Sequence, residues 1–194
     1  MLDMQNVWGA ELGPYLSNTI AAHVANEPWQ LEAYFRLRRE VFVTEQRLFE
    51  GSDVDEQDAS ATAIVAVNQI AGMADEVVGT VRIYPTESGT WFGGRLAVSA
   101  RYRSRRSVGT SLICAAVSTA HARGCERFLA TIQLNNVGYF EQHHFATLEP
   151  VEVCGQPHHL MQADLRHFPS RAAHAHRPVY ADVAAVSVRR GRRA

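Results

Sequence analysis

Four arginines and a glycine mark a segment that could bind an anion. The segment leads from a predicted strand through a basic loop into a predicted helix, and its arginines are Arg101, Arg103, Arg105 and Arg106. The first turn of a helix has backbone N–H groups without intrahelical acceptors and a partial positive charge, so it favours a phosphate. Gly109 has no Cβ, which lets the backbone approach such a ligand closely. The segment is predicted to bind a phosphate; the alternative is a solvated basic loop ahead of an ordinary helix.

A second group of charged residues precedes this segment in the chain. Its members, with one aromatic residue, are Arg38, Phe42, Asp53, Asp55, Asp58 and Arg82. We expect an arginine–carboxylate network that orders the acidic loop, in which breaking one buried pair costs about 3–5 kcal/mol. Residues 45–60 carry six acidic residues against one arginine, and their negative potential would attract a cationic amine. The loop does not fit an EF-hand, because Asp58 stands where that motif has its glycine.

An alternation of strands and helices is predicted to position both groups. The predicted strands span 18–24, 63–67, 76–84, 91–98, 128–134, 145–153 and 158–165, and the predicted helices span 28–42, 108–123 and 136–143. Helix 28–42 is expected to bury one face made of Leu31, Tyr34, Phe35, Val41 and Phe42. This order of elements predicts an α/β (α+β) domain with a mixed central sheet.

Length and composition are those of one globular domain. The chain has 194 residues, of which 46% are hydrophobic and 20% are charged. We predict an N-terminal extension over 1–17, a domain over 18–166 and a mobile, arginine-rich tail over 167–194. No apolar run reaches the roughly 18 residues that span a bilayer, and the first ten residues lack the pattern of a signal peptide. A cytoplasmic location without membrane association is expected.

The basic residues, cysteines and histidines exclude several classes of chemistry. All 19 basic residues are arginines, which excludes Schiff-base chemistry on lysine and the lysines of Walker A motifs and protein kinases. The three cysteines, Cys114, Cys125 and Cys154, lack C-x-x-C spacing and are expected to be reduced, mostly packed thiols. The nine histidines show no metal-ligand spacing, so no metal is expected. Nucleic acid is not an expected partner, because no aromatic residues interleave with the tail arginines.

The basic segment resembles a known family. Arg106-Ser-Val-Gly109-Thr-Ser111 resembles the R/Q-x-x-G-x-G/A motif of the GNAT superfamily of N-acetyltransferases, and the order of elements is similar along roughly residues 18–166. The resemblance implies a GNAT-like mixed sheet of about six to seven strands flanked by helices, with acetyl-CoA or a similar acyl-CoA as co-substrate. On this resemblance, the backbone of Leu96, Ala97 and Val98 would pair with the pantetheine arm of CoA, and Asn135 or Asn136 could also hydrogen-bond that arm. Arg103 or Arg105 could reach the outer phosphates. The pyrophosphate would be bound by backbone N–H groups of Arg106, Ser107, Val108, Gly109, Thr110 and Ser111.

The charged group upstream carries a second resemblance. Arg38-Arg-Glu-Val-Phe42-Val-Thr-Glu-Gln46, the acidic loop and Val78-Gly-Thr-Val-Arg82-Ile-Tyr-Pro-Thr86 are similar to a branch of small-amine acetyltransferases in the GNAT superfamily and to the acyl-homoserine-lactone synthases. On this resemblance the acceptor substrate is bound by Arg38, Phe42, Asp55, Asp58 and Arg82.

The acid and the base of the implied reaction are less clearly marked. Strand 91–98 lacks the glutamate that some members of the family use as a base, so Glu45 or a water chain is expected to take that role. The alternative for Glu45 is an ion pair with an arginine of the first helix. The position of the tyrosine that serves as general acid in the family is occupied here by Phe140. The adjacent Tyr139 is the candidate acid, although one residue along a helix turns its side chain by about 100° from that of Phe140.

The sequence therefore predicts an N-acetyltransferase that moves an acetyl or acyl group from acetyl-CoA to the amine of a small molecule, by direct transfer in a ternary complex. One alternative is chemistry like that of acyl-homoserine-lactone synthases, with an acyl carrier and S-adenosylmethionine. Another is an acyl-CoA-binding sensor that has lost catalysis. A homodimer is left open.

Overall fold

The computed structural model describes residues 18–170, which a seven-stranded mixed sheet organises. The strands are β1 (Asn18–Val24), β2 (Thr62–Ile70), β3 (Met73–Glu87), β4 (Thr90–Val98), β5 (Arg127–Gln133), β6 (Phe145–Val153) and β7 (Gln156–Ala163). The α-helices are α1 (Pro28–Arg38), α2 (Arg106–Ala122) and α3 (Val137–Glu141). Short 3-10 helices span Glu56–Ala59, Ala100–Tyr102, Leu134–Asn136 and Leu165–His167. The predicted fold class and number of strands are confirmed.

The sheet contains an internal gap between its fourth and fifth strands. Its order is β1-β2-β3-β4-β5-β7-β6, and all neighbours are antiparallel except β4 and β5, which are parallel. These two strands pair only where residues 90–93 face residues 127–130. Beyond this point β4 stays paired with β3, and β5 stays paired with β7, but residues 94–98 and 131–133 no longer pair across the gap.

The larger core lies between α2 and one face of the sheet. On α2 its most buried members are Val108, Leu112, Val117 and Ala120, each 0% exposed. Gly79 on β3 permits this close packing, because a Cβ there would lie 2.8 Å from Leu112 Cδ1. Interiors packed to this density cannot absorb an added methyl group without displacement. The start of α2 is therefore held at a fixed position beside the gap.

The other face of the sheet is covered by α1 and by a π-helix (Arg39–Glu45) that continues it. The predicted α-helix over 28–42 is thus divided into two helices of different type. The predicted buried face is partly wrong, because Leu31 and Phe35 are each 40% exposed. The helix instead turns Arg38 inward, where it is 0% exposed, and the ion pairs of that buried charge fix which side of α1 faces the sheet.

The packed residues continue to Phe168, two positions past the predicted domain boundary at 166. Phe168 is 3% exposed, and its ring lies edge-on to Phe145 at 6.2 Å between centroids. Its carbonyl accepts a hydrogen bond of 2.6 Å from His121 Nδ1. The predicted extension over 1–17 and the tail from 171 onward lie outside the described residues. Within 18–170, none of the helices is both long and apolar enough to cross a bilayer.

Candidate active site

The gap between β4 and β5 opens into a cavity of about 230 Å³, which we call the central cavity. On the side of α2 its walls are apolar and include Ile113, Ala116, Phe128 and Phe140. On the side of α1 its walls include Phe42, Leu48, Phe49, Arg82 and Arg95. Because the cavity reaches both faces of the sheet, two ligands that enter from opposite faces can meet at the gap.

An ion-pair network lies beside the cavity on the α1 side. Arg38 Nε donates to Asp53 at 2.7 Å, and its two Nη atoms donate to Asp58 at 2.5 and 3.0 Å. Arg82 donates to both carboxylate oxygens of Asp55 at 2.6 Å and to Asp58 at 2.7 Å. The expected arginine–carboxylate network is therefore present. Arg38 is 0% exposed and Arg82 is 4% exposed, so both act in a largely dry environment.

Arg95 completes the network, although no sequence pattern singled it out. It lies at a β-bulge, where the β3–β4 register shifts between Thr80 and Arg82, and its φ is +52°. Its guanidinium carbon lies 4.3 Å from the centre of the Phe49 ring, and its Nε and Nη2 donate to the Asp53 carbonyl oxygen at 3.1 and 2.9 Å. The bulge thus directs an arginine of β4 toward the acidic loop and into the cavity wall.

The network has no net charge, so its three aspartates do not contribute to the negative potential expected of the acidic loop. Its three aspartates contact three arginines in six ion pairs. The Arg82 hydrogen bond lowers the pKa of the Asp55 carboxyl. Burial opposes the ionisation of Asp58, but hydrogen bonds from Arg38 and from backbone lower its pKa to about 2. All three carboxylates are already paired with arginines, so no unpaired negative charge of the network faces the cavity.

The start of α2 keeps the features of an anion site. Its N-cap residue, Arg105, makes no side-chain capping hydrogen bond, and the first turn has no acidic residue. Arg105, Arg106 and Ser107 are exposed. Helix starts usually have a Ser, Thr, Asp or Asn cap. Arginine side chains add positive charge at a helix end that is already partly positive, which is unfavourable. A bound phosphate would compensate this positive charge. Val108 is buried, and the half-buried Ser111 donates its Oγ hydroxyl to the Val108 carbonyl at 2.9 Å.

Residues 24–145 match the model of the family described as Acetyltransferase (GNAT) family. The chain belongs to this family. It is accordingly an acyl-CoA-dependent acyltransferase. None of the curated protein sequences matches it.

Solved structures share the fold at low sequence identity. A putative N-acetyltransferase from Lactobacillus plantarum is 23% identical with a TM-score of 0.65, over 75% of this chain and 98% of that one. An acyl-CoA N-acyltransferase from Pseudomonas aeruginosa is 20% identical with a TM-score of 0.62, over 76% and 100%. The CoA-dependent acyl-homoserine lactone synthase BjaI, in a structure with SAM and isopentyl-CoA, is 19% identical with a TM-score of 0.61, over 78% and 86%. The expected GNAT-like fold is confirmed.

The residues predicted to hold the CoA arm occupy different positions in this GNAT protein. Leu96 and Asn136 line the central cavity. Ala97 is 3% exposed and packs in a small core on the α1 side, so it can offer only its backbone. Asn135 is exposed and lies outside the cavity walls. The geometry therefore favours Leu96 and Asn136 as the contacts nearest to the gap.

Two residues predicted for separate roles instead pair with each other. Arg103 Nη1 and Nη2 donate to the two carboxylate oxygens of Glu45 at 2.5 and 2.6 Å, and Arg103 Nε donates to the Val98 carbonyl at 3.0 Å. The Arg103 hydrogen bond lowers the pKa of Glu45, which makes that carboxylate a weaker base. The structure therefore does not favour Glu45 as the base. An ion pair was the alternative, but its partner comes from the β4–α2 loop and not from the first helix.

Tyr139 contacts the start of α2 and not the cavity. Its hydroxyl lies 3.2 Å from Thr110 Oγ1 and 3.3 Å from the Arg106 carbonyl oxygen. A Cβ at Gly109 would lie 2.7 Å from the same hydroxyl, so the space that Gly109 leaves is taken by Tyr139. The neighbouring Phe140 lines the cavity in its place. This position does not favour Tyr139 as the general acid.

His158 is a cavity-lining residue that sequence reasoning considered only as a metal ligand. It is 8% exposed, and its Nδ1 lies 2.8 Å from the Gln156 carbonyl oxygen. Because a carbonyl only accepts, Nδ1 carries the hydrogen, and in the neutral imidazole Nε2 keeps a free electron pair. That Nε2 has no hydrogen-bond partner within residues 18–170. The imidazole can therefore accept a proton from a ligand in the cavity.

The cysteines are less buried than expected. Cys125 is buried, and burial raises the pKa of its thiol to about 11. Cys114 and Cys154 are exposed, so the expectation of mostly packed thiols is wrong. Over the described range 18–170, no group of three or more His, Cys, Asp or Glu residues is arranged to hold a metal ion.

Proposed function

We propose that this GNAT acyltransferase moves an acetyl or similar acyl group from acyl-CoA directly to the amine of a small molecule bound in the central cavity. The observation that supports this most is the gap in the sheet. Residues 94–98 of β4 border it without a partner on β5, and backbone N–H and C=O groups at such an edge bind a ligand with amide groups, as a further strand would. The pantetheine arm of CoA has two amides.

The phosphate end of the same ligand fits the start of α2. An uncapped helix start that carries Arg105 and Arg106 follows the free edge of β4 along the chain. The exposed N–H groups and guanidinium groups supply the donors that a pyrophosphate accepts. A single ligand with an amide arm and a pyrophosphate can thus use both features.

Direct transfer is supported by the passage of the cavity through the sheet. The acyl group would enter beside the apolar wall on the α2 side, and the acceptor would enter on the α1 side. The amine nitrogen would attack the thioester carbon to form a tetrahedral oxyanion, and His158 Nε2 would take the proton that this nitrogen loses. Collapse of the tetrahedral intermediate would then break the C–S bond. The bulge at Arg95 leaves a β4 backbone group out of the ladder, and an N–H there would stabilise the oxyanion. Phe140 offers no proton, so water would protonate the leaving thiolate.

Calorimetric titration with acetyl-CoA tests the binding half of this proposal. The variant Arg105→Gln/Arg106→Gln should bind acetyl-CoA at least about tenfold more weakly, since charged hydrogen bonds contribute about 1.5–3 kcal/mol each. Arg127→Gln is the matched control, because Arg127 is an exposed arginine at the other end of β5. Equal affinity of both variants, or no binding by the unaltered protein, contradicts the assignment.

Initial rates test the transfer half. Acetyl-CoA and a panel of small amines should release free CoA thiol together with the N-acetylated amine, and double-reciprocal plots should intersect. Parallel plots would indicate a covalent acyl-enzyme and refute direct transfer. Titration with S-adenosylmethionine tests the lactone-synthase alternative, which is supported if that compound binds and is consumed with acyl-CoA.

A further inference from the structure

One flank of the central cavity, on the face of the sheet that α1 covers, is aromatic. Tyr84 on β3 and Phe92 on β4 are cross-strand partners, and their rings stack at 5.9 Å between centroids with planes 29° apart. Tyr84 is two residues along β3 from Arg82, so it shares the face of the ion-pair network. Phe42 and Phe49 complete this aromatic flank, and all four rings line the cavity. Phe49, Tyr84 and Phe92 are half-buried, so each keeps accessible surface.

The charged groups on this flank are already paired. Within the described range the charged lining residues are Arg82 and Arg95, and both bind aspartates of the acidic loop. A ring also lies against each guanidinium group: the Arg82 guanidinium carbon is 5.4 Å from the centre of the Tyr84 ring, and that of Arg95 is 4.3 Å from the centre of the Phe49 ring. Among the described residues, a ligand on the aromatic flank therefore meets no unpaired charge of either sign.

The opposite flank of the cavity, on β5 and β7, is polar. Ala130 and Ile132 of β5 belong to the core on the α2 side. Thr131 and Gln133 alternate with them and therefore face the α1 side. His158 on β7 is the cross-strand partner of Gln133, so it shares that face, and all three polar residues line the cavity. The gap between β4 and β5 thus has rings on one side and hydrogen-bonding groups on the other.

This division orients the acceptor. Its nitrogen must lie at the gap to reach the thioester and His158 Nε2, so the rest of the molecule lies over the aromatic flank. An apolar ring gains there from leaving water and from contact with other rings. A second ammonium or a carboxylate would lose its water without gaining a partner, and an ammonium would also be repelled by Arg82 and Arg95.

We propose that the acceptor is a small monoamine that carries an uncharged apolar ring, for which phenethylamine is the simplest probe. The proposal rests on the proposed function and names the substrate class for it. The ring packs against Phe49 and Phe92, and the amine lies at the gap beside His158. Polyamines and amino acids are disfavoured, because each places a second charge on a flank that has no free partner for it.

Matched acceptors test the proposal. Phenethylamine is compared with ethylamine, which lacks the ring, with 1,5-diaminopentane, which replaces the ring by a second ammonium, and with L-phenylalanine, which adds a carboxylate. With acetyl-CoA, phenethylamine should exceed both ethylamine and 1,5-diaminopentane in kcat/KM by at least about tenfold, and L-phenylalanine should not exceed phenethylamine. Calorimetry of N-acetylphenethylamine against N-ethylacetamide reads ring recognition without turnover, and the first compound should bind more tightly.

Variants of the aromatic flank locate the ring. Phe92→Leu and Phe49→Leu each keep an apolar side chain but remove an aromatic contact. Each should lower the ratio of kcat/KM for phenethylamine over ethylamine at least about threefold, and melting temperatures show which variants are folded. Phe35→Leu is the matched control, because Phe35 is 40% exposed on α1 and lies outside the cavity walls; it should leave the ratio unchanged.

The outcomes separate this proposal from the proposed function. If ethylamine, 1,5-diaminopentane or L-phenylalanine is used as well as phenethylamine, the substrate class is overturned and acyl transfer stands. An unchanged ratio in the folded variants Phe92→Leu and Phe49→Leu also overturns it. Ring-selective product binding without transfer to any amine overturns the proposed function and leaves ring recognition standing.

Discussion

Two arginine–carboxylate pairs of nearly the same geometry differ in burial, and this difference predicts unequal effects on stability. The Arg38–Asp58 pair has N–O distances of 2.5 and 3.0 Å and side chains that are 0% and 7% exposed. The Arg103–Glu45 pair has distances of 2.5 and 2.6 Å and side chains that are 41% and 42% exposed. Contact distance alone would rank the two pairs as equals.

Burial decides the expected magnitudes. Arg38→Met leaves Asp53 and Asp58 short of a partner in a dry environment, which should cost about 3–5 kcal/mol. At about 2–4 °C per kcal/mol for a chain of this size, the melting temperature should fall by about 6–20 °C. Arg103→Met breaks a solvated pair, which should cost about 0–1 kcal/mol and at most about 4 °C.

Urea denaturation of both variants, followed by circular dichroism, measures these costs. The same substitution at both sites matches the loss of side-chain volume and charge, and an unchanged m-value shows that the transition still exposes the same surface. A loss below about 1 kcal/mol for Arg38→Met, or equal losses for the two variants, would refute the assignment of stability to the buried network.

Three further predictions concern the catalytic base, the start of α2 and the response to acid. His158→Gln should lower kcat by about 10²–10⁴-fold, while the affinity for acetyl-CoA stays within twofold of that of the unaltered protein. A fall in melting temperature large enough to account for the lost activity would instead indicate a structural role for His158. Gly109→Ala should destabilise the protein by about 1–3 kcal/mol, because the added methyl group meets the Tyr139 hydroxyl. In the double variant, Tyr139→Phe should restore most of that loss of stability, which urea titration measures. If the losses of the two single variants simply add, the contact between Gly109 and Tyr139 is contradicted. The free energy of unfolding should fall as pH drops from about 4 toward 2, because the folded Asp58 carboxyl has a pKa of about 2 against an ordinary value of 3.8, and Asp58→Asn should flatten that slope in acid titrations.

Much of the fold and of the ion-pair network could be predicted from local pattern. Alternating and helical spacings of apolar residues identify strands and helices, because burial follows the period of each element. The pairing of Arg38 and Arg82 with aspartates was predictable, because buried guanidinium groups need carboxylates and the loop supplies them. The net charge of the network could not be predicted, because it depends on Arg95. The backbone φ of Arg95 is +52°, which is unusual for a non-glycine residue and is not signalled by any sequence pattern.

Contacts between distant segments could not be predicted for the same kind of reason. The π-helix changes the direction of side chains after Arg38, so Glu45 leaves the first helix face and reaches Arg103. The placement of Tyr139 against Gly109 depends on how α3 packs on α2, which no single segment encodes. His158 was visible as a histidine, but its role depends on the Gln156 carbonyl that fixes its tautomer.

The gap in the sheet has a consequence for the folded state as a whole. Four residue pairs join β4 to β5, so the strands on either side of the gap form two nearly separate ladders. A ligand that pairs with the free edge of β4 supplies hydrogen bonds that the chain itself lacks, and it acts as part of the sheet. At 100 times its Kd such a ligand adds about 2.7 kcal/mol to the free energy of unfolding. The proposed binding of acyl-CoA at this edge therefore predicts that amide hydrogens of both ladders exchange more slowly when acyl-CoA is bound. It also predicts that the free energy of unfolding rises with the concentration of acyl-CoA.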